Sequence, residues 1–373
     1  MEYVIFGAGV TGEKVLIQYY NYYRIVAFYD NYKEGYFQGY PIKKPSYRKN
    51  TFIIVASSPY FDIRRQLLEI GYKEFQDFVP YQIFGKNMAI AYGNCHIGAM
   101  KGYLERNKDF CEKYGFYPLP LIQNMPEELD LEKILSHCDL FIHQSIRKEN
   151  RYGIQYASEN VISYLSVQCK IISVPNLYGL PKCFFPQIQA SSHKKARLFS
   201  FLSGDEVNVE KWVQEGKTRQ EIQAYMEKGG VYAQDEILRL WKSFQEKLLE
   251  REEDWDIKIS DYIFENYKTK QLFYDLFHIS DELVKEITKR LLIYLGYQGS
   301  VFGDAPCKLD SSEVFLYEDV RNALGVEYEQ KLIRKHAKSS SLTDRDMDLK
   351  EYVNQLYCYY FFEQVSSKKG EQV

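Results

Sequence analysis

Short apolar strands alternate with helices in two blocks of this chain, and each block opens with a strand that runs through glycine into a helix. That pattern predicts an α/β fold. In the first block a strand over 3–6 meets Gly7-Ala8-Gly9-Val10-Thr11-Gly12, a helix over 13–20 follows, and a second strand over 24–29 ends at Asp30. Glycines at that spacing permit a tight turn and let a phosphate approach the helix N-terminus, and an acidic residue closing the next strand is placed for ribose hydroxyls. Gly7, Gly9, Gly12 and Asp30 are therefore the candidate nucleotide-binding residues. A strand over 51–56, the turn Ser57-Ser58-Pro59, a helix over 62–70 and a strand over 75–78 complete a small sheet. The block stops near residue 80, too early for both halves of a dinucleotide-binding fold. Residues 1–82 thus read as a small Rossmann-like domain whose expected ligand is a nucleotide or nucleotide-sugar.

From residue 87 the alternation restarts with longer connections. Strands over 88–92, 117–122, 139–144 and 170–174, separated by helices over 97–114, 128–137 and 154–165, predict a parallel three-layer α/β/α core in a domain spanning 87–300. Ligands of such sheets bind at the C-terminal strand edges, where Cys95, Gln144 and Asn176 fall. After Pro186 the pattern turns helical over 207–230 and 234–267, with Thr218 placed to cap a helix over 219–227. This stretch, about 200–267, reads as a helical cap over the active-site edge. A strand over 271–274 returns to the core and delivers Asp275 and His278; the helix after it puts Leu283, Ile287, Leu291 and Leu295 on one packing face. Residues 301–373 read as a helical extension. It comprises a helix over 310–324, a polar linker over 337–348, and an aromatic amphipathic helix over 349–365 that offers a docking face to the body or to a second copy. Its end, 366–373, is expected to be disordered.

The chemistry concentrates at Gly93-Asn94-Cys95-His96 and at Asp275-Leu276-Phe277-His278. A thiol at a helix N-terminus meets unpaired backbone N–H groups and the positive end of the helix dipole, which favour the thiolate and can hold the oxyanion of a tetrahedral intermediate. Asp275 and His278, three apart, can lie in one turn, with the carboxylate on one ring nitrogen and the other left for the thiol. Cys95, His278 and Asp275 form the candidate catalytic unit, and Gln144 is a candidate oxyanion donor. His96, next to the nucleophile, is an alternative base. Cations at Arg147 and Lys148, and in His193-Lys194-Lys195-x-Arg197, suit the phosphates of a coenzyme. The acidic run from 250 to 256 is either a solvated face or a partner for those cations.

With 373 residues and a formal net charge of −3, the chain has room for two domains and shows no dominant basic stripe, so nucleic acid is not an expected partner. No apolar run approaches the ~18 residues of a membrane span and the chain opens on a strand, so a cytoplasmic location is expected. Seven cysteines lie at 95, 111, 138, 169, 183, 307 and 358, with no CxxC pair among them. Free thiols are expected, with neither a disulfide framework nor a metal site, and His137 and His143 lack convergent partners.

Residues 1–80 resemble the small Rossmann-like domain that precedes many bacterial sugar-modifying enzymes, through Phe6 to Gly12, Asp30-Asn31 and Gly39-Tyr40-Pro41-Ile42. Residues 88–298 are similar to the WcbI family of capsule-associated polysaccharide-biosynthesis enzymes. This likeness rests on Tyr92-Gly93-Asn94-Cys95, Phe141-Ile142-His143-Gln144, Pro175-Asn176, Phe184-Phe185-Pro186, Glu252-Glu253-Asp254 with Asp256, Ile259-Ser260-Asp261-Tyr262-Ile263, and Leu272-Phe273-Tyr274 before His278. The resemblance implies a core related to SGNH hydrolases and a coenzyme A-dependent acetyltransferase acting on a bacterial sugar or nucleotide-sugar. Gly93, Asn94, His96, Arg147, Asn176, Lys194, Lys195 and Arg197 are then the candidate coenzyme-binding residues. His278-Ile279 stands where such families usually have His-Pro. Two routes fit the residues: an acyl-enzyme on Cys95, or His278 activating the sugar directly with Cys95 lining the site. An esterase or deacetylase, or a non-catalytic nucleotide-sugar-binding scaffold, are the alternatives.

Overall fold

The computed structural model describes residues 1–189, 204–301, 303, 309, 313–330, 333–335 and 345–370. The chain is α/β and divides into two compact units, one of 1–92, 108–142 and 149–171, the other of 93–107, 143–148 and 172–373.

The first unit holds a six-stranded sheet of β1 (Glu2–Phe6), β2 (Ile25–Tyr29), β3 (Gly35–Phe37), β4 (Tyr40–Lys43), β5 (Thr51–Val55) and β6 (Phe78–Pro80), in the order β3-β4-β2-β1-β5-β6. Central β1 runs parallel to β2 and β5, and Ile5, Phe28, Ile53 and Ile54 are fully buried, as the continuous apolar character of these strands requires. Helices α1 (Val10–Tyr19) and α2 (Tyr60–Ile70) follow β1 and β5. The sequence reading missed the β3–β4 hairpin, whose turn residues Gln38 and Gly39 both have positive φ, as a two-residue turn between twisted strands demands. The strand expected over 75–78 starts later, because Phe75 lies in the left-handed region at φ 67°. Buried Glu74 accepts hydroxyls from Tyr60 at 2.5 Å and Tyr117 at 2.8 Å and pairs with Arg64 at 2.7 Å, so its charge is fully partnered.

A second sheet consists of β7 (Asn87–Tyr92), β8 (Tyr114–Phe116), β9 (Leu140–Gln144) and β10 (Lys170–Val174), ordered β10-β9-β7-β8 with β7 and β8 parallel. The helix expected over 97–114 is two helices, α3 (Cys95–Leu104) and α4 (Lys108–Lys113), separated by a turn at 105–107, and the strand expected over 117–122 lies earlier, as β8. The helical stretches expected over 128–137 and 154–165 shrink to α5 (Leu131–Leu135) and α6 (Ser158–Ile162).

In the second unit a small antiparallel pair, β11 (Ile188–Gln189) with β12 (Asp205–Glu206), leads into α7 (Val207–Gln214), α8 (Arg219–Lys228), α9 (Gln234–Glu252), α10 (Ser260–Asn266) and α11 (Asp281–Tyr294). Thr218 and Glu221 form a reciprocal capping box at the start of α8. Phe184, Trp241, Phe244, Tyr267 and Phe273 make one aromatic cluster, with Trp241 and Tyr267 centroids 4.3 Å apart, that seats α9 on the unit's core. The strand expected over 271–274 is a single bridge, Phe273 to Ile279, because the chain turns back within five residues.

Beyond α11, α12 (Glu318–Leu324) packs on α9, and β13 (Ile333–Lys335) pairs with β14 (Arg345–Met347), which lies inside the stretch expected to be a polar linker. Helix α13 (Leu349–Gly370) packs on α7 and α8 and continues through most of the end expected to be disordered. Buried Glu206 anchors this contact: its carboxylate accepts from Tyr317 at 2.8 Å and from the Val209 N–H at 2.6 Å, and its own N–H donates to Tyr360 at 2.7 Å. Among the described residues no helix is long and apolar enough to cross a membrane.

Candidate active site

The residues of this site belong to the second unit. Gly93 and Asn94 follow β7 directly, and Cys95 is the first residue of α3. Gly93 has φ 153°, and a Cβ there would lie 2.6 Å from the Gln144 Oε1, so only glycine lets Gln144 reach the turn. Gln144 is fully buried; its Oε1 accepts from the Asn94 N–H at 3.0 Å and its Nε2 donates to the Pro175 carbonyl at 2.9 Å. It ties the turn after β7 to the end of β10. That is a correction: an amide committed at both ends and sealed from solvent positions the turn and does not donate to a substrate oxyanion. Asn94 caps α3 by accepting the His96 N–H at 2.9 Å, and its Nδ2 donates to Asn176 at 3.4 Å. No protein acceptor takes the Cys95 N–H, at the start of a helix, among the described residues.

Asp275 and His278 face this turn. The Asp275 carboxylate, 1% exposed, accepts from the Phe277 N–H at 2.6 Å and the His278 N–H at 2.7 Å through one oxygen, and from the His278 Nδ1 at 2.9 Å through the other. Burial pushes this carboxyl up, but the imidazole and the two N–H donors outweigh it and hold it below the usual carboxylate range. Cys95 lies beside the His278 ring and acts on its titration. Burial alone would lower the imidazole; Asp275 and Cys95 reverse this and raise it to about 10. At neutral pH the pair therefore keeps a proton on His278. Ile279, in place of the expected proline, forms the bridge to Phe273 that closes the turn carrying these residues.

The other expected residues divide. Asn176 joins the site: it bonds Asn94, and its Nδ2 donates to the Ser145 carbonyl at 3.2 Å. Its own carbonyl accepts from Arg251 at 3.2 Å. Arg251, which the sequence reading passed over inside an acidic run, is half-buried; burial first and the like charge of Arg147 second depress its pKa. The two guanidinium groups thus lie near one another, with Arg251 on the Asn176 carbonyl. His96 is completely buried, with Nε2 2.8 Å from the Phe277 carbonyl, so neither direct coenzyme contact nor a role as base fits it. Lys194, Lys195 and Arg197 lie outside the described residues, as does Cys307. The acidic run divides: Glu250, Glu253 and Asp254 are exposed, as a solvated face requires, whereas buried Glu252 accepts the Ile259 and Ser260 N–H groups and Asp256 accepts the Ser173 N–H at 2.7 Å and its hydroxyl at 2.8 Å. Among the described residues no group of His, Cys, Asp and Glu could hold a metal ion, and the six cysteines are free.

In the first unit Gly7, Gly9 and Asp30 line a cavity of about 310 Å³ with Thr11, Lys33, Ser57 and Ser58. Gly12 packs on the turn so closely that a Cβ would lie 1.9 Å from the Gly7 carbonyl. Asp30 accepts the Ala8 N–H at 3.0 Å and the Tyr32 and Lys33 N–H groups at 2.9 Å. Burial raises its carboxyl, and these donors with the Lys33 charge bring it below the usual value. Its oxygens thus brace the turn before any ligand arrives.

A thiol at a helix N-terminus, an imidazole beside the thiol and a buried carboxylate on the imidazole thus stand together on an α/β fold. Residues 88–300 match the family described as polysaccharide biosynthesis enzyme WcbI, and the chain belongs to that family. A solved structure of WcbI, described as a novel polysaccharide biosynthesis enzyme, native and without a disulfide bond between CoA and one of its cysteines, shares the fold at TM-score 0.61. It is 17% identical, and the match covers 74% of this chain and 90% of that one. No curated protein matches the chain.

Proposed function

We propose that this protein is an acetyl-CoA-dependent sugar O-acetyltransferase of bacterial surface-polysaccharide biosynthesis, working in the cytoplasm through an acyl-enzyme on Cys95. The observation that carries the reading is the line Cys95–His278–Asp275 at the head of α3, beside an unengaged Cys95 N–H. The name of the solved WcbI structure, which sets CoA beside a cysteine, supports the acyl donor. Gly93, Asn94 and Asn176 shape the thioester end of the site, and Arg147 and Arg251 supply positive charge for coenzyme phosphates, with Lys194, Lys195 and Arg197 as further candidates.

The state of His278 favours the covalent route over direct base catalysis. A protonated imidazole cannot take a proton from a sugar hydroxyl. It can give its proton to the leaving coenzyme thiolate as the Cys95 sulfur attacks the thioester carbon and the old C–S bond breaks. Once Sγ carries the acyl group, the charge that Cys95 lends to His278 is gone. The neutral imidazole then takes the acceptor hydroxyl's proton as the ester forms and the sulfur leaves, which restores the starting pair. The Cys95 N–H holds the oxyanion in both halves.

On this reading the 87–300 region is an SGNH-hydrolase-like three-layer domain whose cap excludes water, and the 1–82 region is a Rossmann-like domain that receives a nucleotide or nucleotide-sugar over Gly7, Gly9, Gly12 and Asp30. A calorimetric titration with coenzyme A, followed by an acetyl-transfer assay against nucleotide-sugars and polysaccharide fragments, tests it. Saturable binding and an O-acetylated sugar are expected. No binding would sink the acetyltransferase, and acetate release without a sugar product would make the protein an esterase.

A further inference from the structure

We infer that His96 is a positioning residue that holds the base-bearing turn against the nucleophile through its Nε2–H bond to the Phe277 carbonyl. The observations are geometric. His96 follows Cys95 on α3, is fully buried, and places Nε2 2.8 Å from the Phe277 oxygen. A carbonyl only accepts, so the proton is on Nε2. The Nδ1 is buried without a hydrogen-bond partner, so the Nε2–H bond is the ring's one polar tie. The same ring lies 6.5 Å from the His278 ring, edge to face at 70°.

Phe277 lies inside the turn that orients the base. Asp275 grips that turn from within, through the Phe277 and His278 N–H groups, and the Leu276 carbonyl takes the Gly179 N–H at 3.0 Å from outside. The Phe277 carbonyl is a further handle, and it is held by the residue next to the nucleophile. One side chain thereby fixes the distance between the thiol's helix and the imidazole's turn.

The tautomer matters for the same reason. The groups facing His96 are His278 and Asp275 from the turn; Cys95 flanks it on its own helix. Tyr352 from α13 faces Asp275, and Lys285 of α11, which packs on α3, lies over Tyr103 near the other end of that helix. Burial first, then the His278 charge, lower the His96 imidazole to about 4, so it stays a neutral donor beside a cation. A charged His96 would repel the protonated His278 that the pair requires.

The inference rests on the acyl-transfer reading of the Cys95–His278 pair, but its readout needs no acyl donor. Failed transfer and failed positioning are therefore separate results. The experiment is ring NMR of carbon-13-labelled histidines through a pH titration of the full chain, with His278 assigned from a His278→Gln spectrum. Wild type, His96→Gln and His96→Leu are compared, since glutamine can offer an N–H near the Nε2 position and leucine cannot. Wild type should show His278 titrating near 10 and no His96 titration above about 4. His96→Leu should lower the His278 midpoint by a unit or more, about a tenfold loss of proton affinity, and His96→Gln should restore it. An unchanged midpoint in a folded His96→Leu protein, or a His96→Gln midpoint displaced as far as that of leucine, overturns the inference. If His96→Leu does not fold, the glutamine variant decides alone: a retained midpoint supports the inference and a lost one refutes it.

Discussion

The two glycine turns of this molecule start alike and finish differently. After β1, α1 begins at Gly9 with no side-chain cap, and the acidic residue nearby, Asp30, spends its oxygens on backbone N–H groups while a cavity of about 310 Å³ stays open at the helix end. After β7, α3 begins with Asn94 as its cap, Gln144 clamps the turn, and the side chain presented is a thiol beside His278. The first turn leaves backbone open at its helix end, whereas the second presents a side chain there. A strand-glycine-helix start is thus a scaffold whose function is set by the residues that fill the helix end.

The largest way to break that contrast is at the thiol. Cys95→Ala should reduce acetyl transfer by about 10³-fold or more, as read by activity assay. His278→Ala should match it, and the double variant should lose little more, because the pair acts as a unit. Next comes Asp275→Asn, whose amide oxygen can keep the two N–H groups but whose NH2 replaces the oxygen that accepts from the imidazole; a fall of about 10²–10⁴-fold in transfer is expected.

The same variant changes the pH dependence of stability. His278 is raised from its ordinary value to about 10 on folding. Its contribution is therefore complete below about 6.5 and is lost as pH climbs through 10. Denaturant midpoints of the wild type should fall across that window, and those of Asp275→Asn should be flatter. Equal slopes would show that Asp275 does not hold the proton on His278.

Smaller effects compare the turns directly. Gly93→Ala drives a Cβ to within 2.6 Å of the Gln144 amide oxygen, so a loss of about 1–3 kcal/mol is expected together with slower Cys95 alkylation by iodoacetamide. Gly12→Ala, with a Cβ 1.9 Å from the Gly7 carbonyl, should cost a similar amount by chemical denaturation yet leave Cys95 alkylation unchanged. If Gly12→Ala also slowed the alkylation, the two turns would not be independent devices.

Local features of the fold were legible because they obey local rules. The β1–α1 and β7–α3 starts follow from apolar strands running into glycine, and Thr218 with Glu221 caps α8 as the pattern requires. Boundaries were less legible. Apolar periodicity continues across the break at 105–107, and the short return at 272–279 looks like a strand until Asp275 pulls the backbone into a turn. The site shows the same division. Cys95, Asp275 and His278 carry their chemistry in the residue type, so they could be named in advance. Gln144 and His96 were assigned other roles, because their hydrogen bonds to Asn94, Pro175 and Phe277 join residues up to 181 positions apart. Arg251 was hidden by neighbouring acids whose partners are backbone N–H groups and a serine hydroxyl.

Intact-protein mass spectrometry after brief incubation with acetyl-CoA, run on the wild type and on Cys95→Ala, tests the acyl-enzyme most directly. The expected result is one added acetyl group on the wild type, absent from the variant and lost when the acceptor sugar is supplied. Turnover of acetyl-CoA by the wild type with no acetyl adduct under rapid quench, or an adduct that persists in Cys95→Ala, would contradict it.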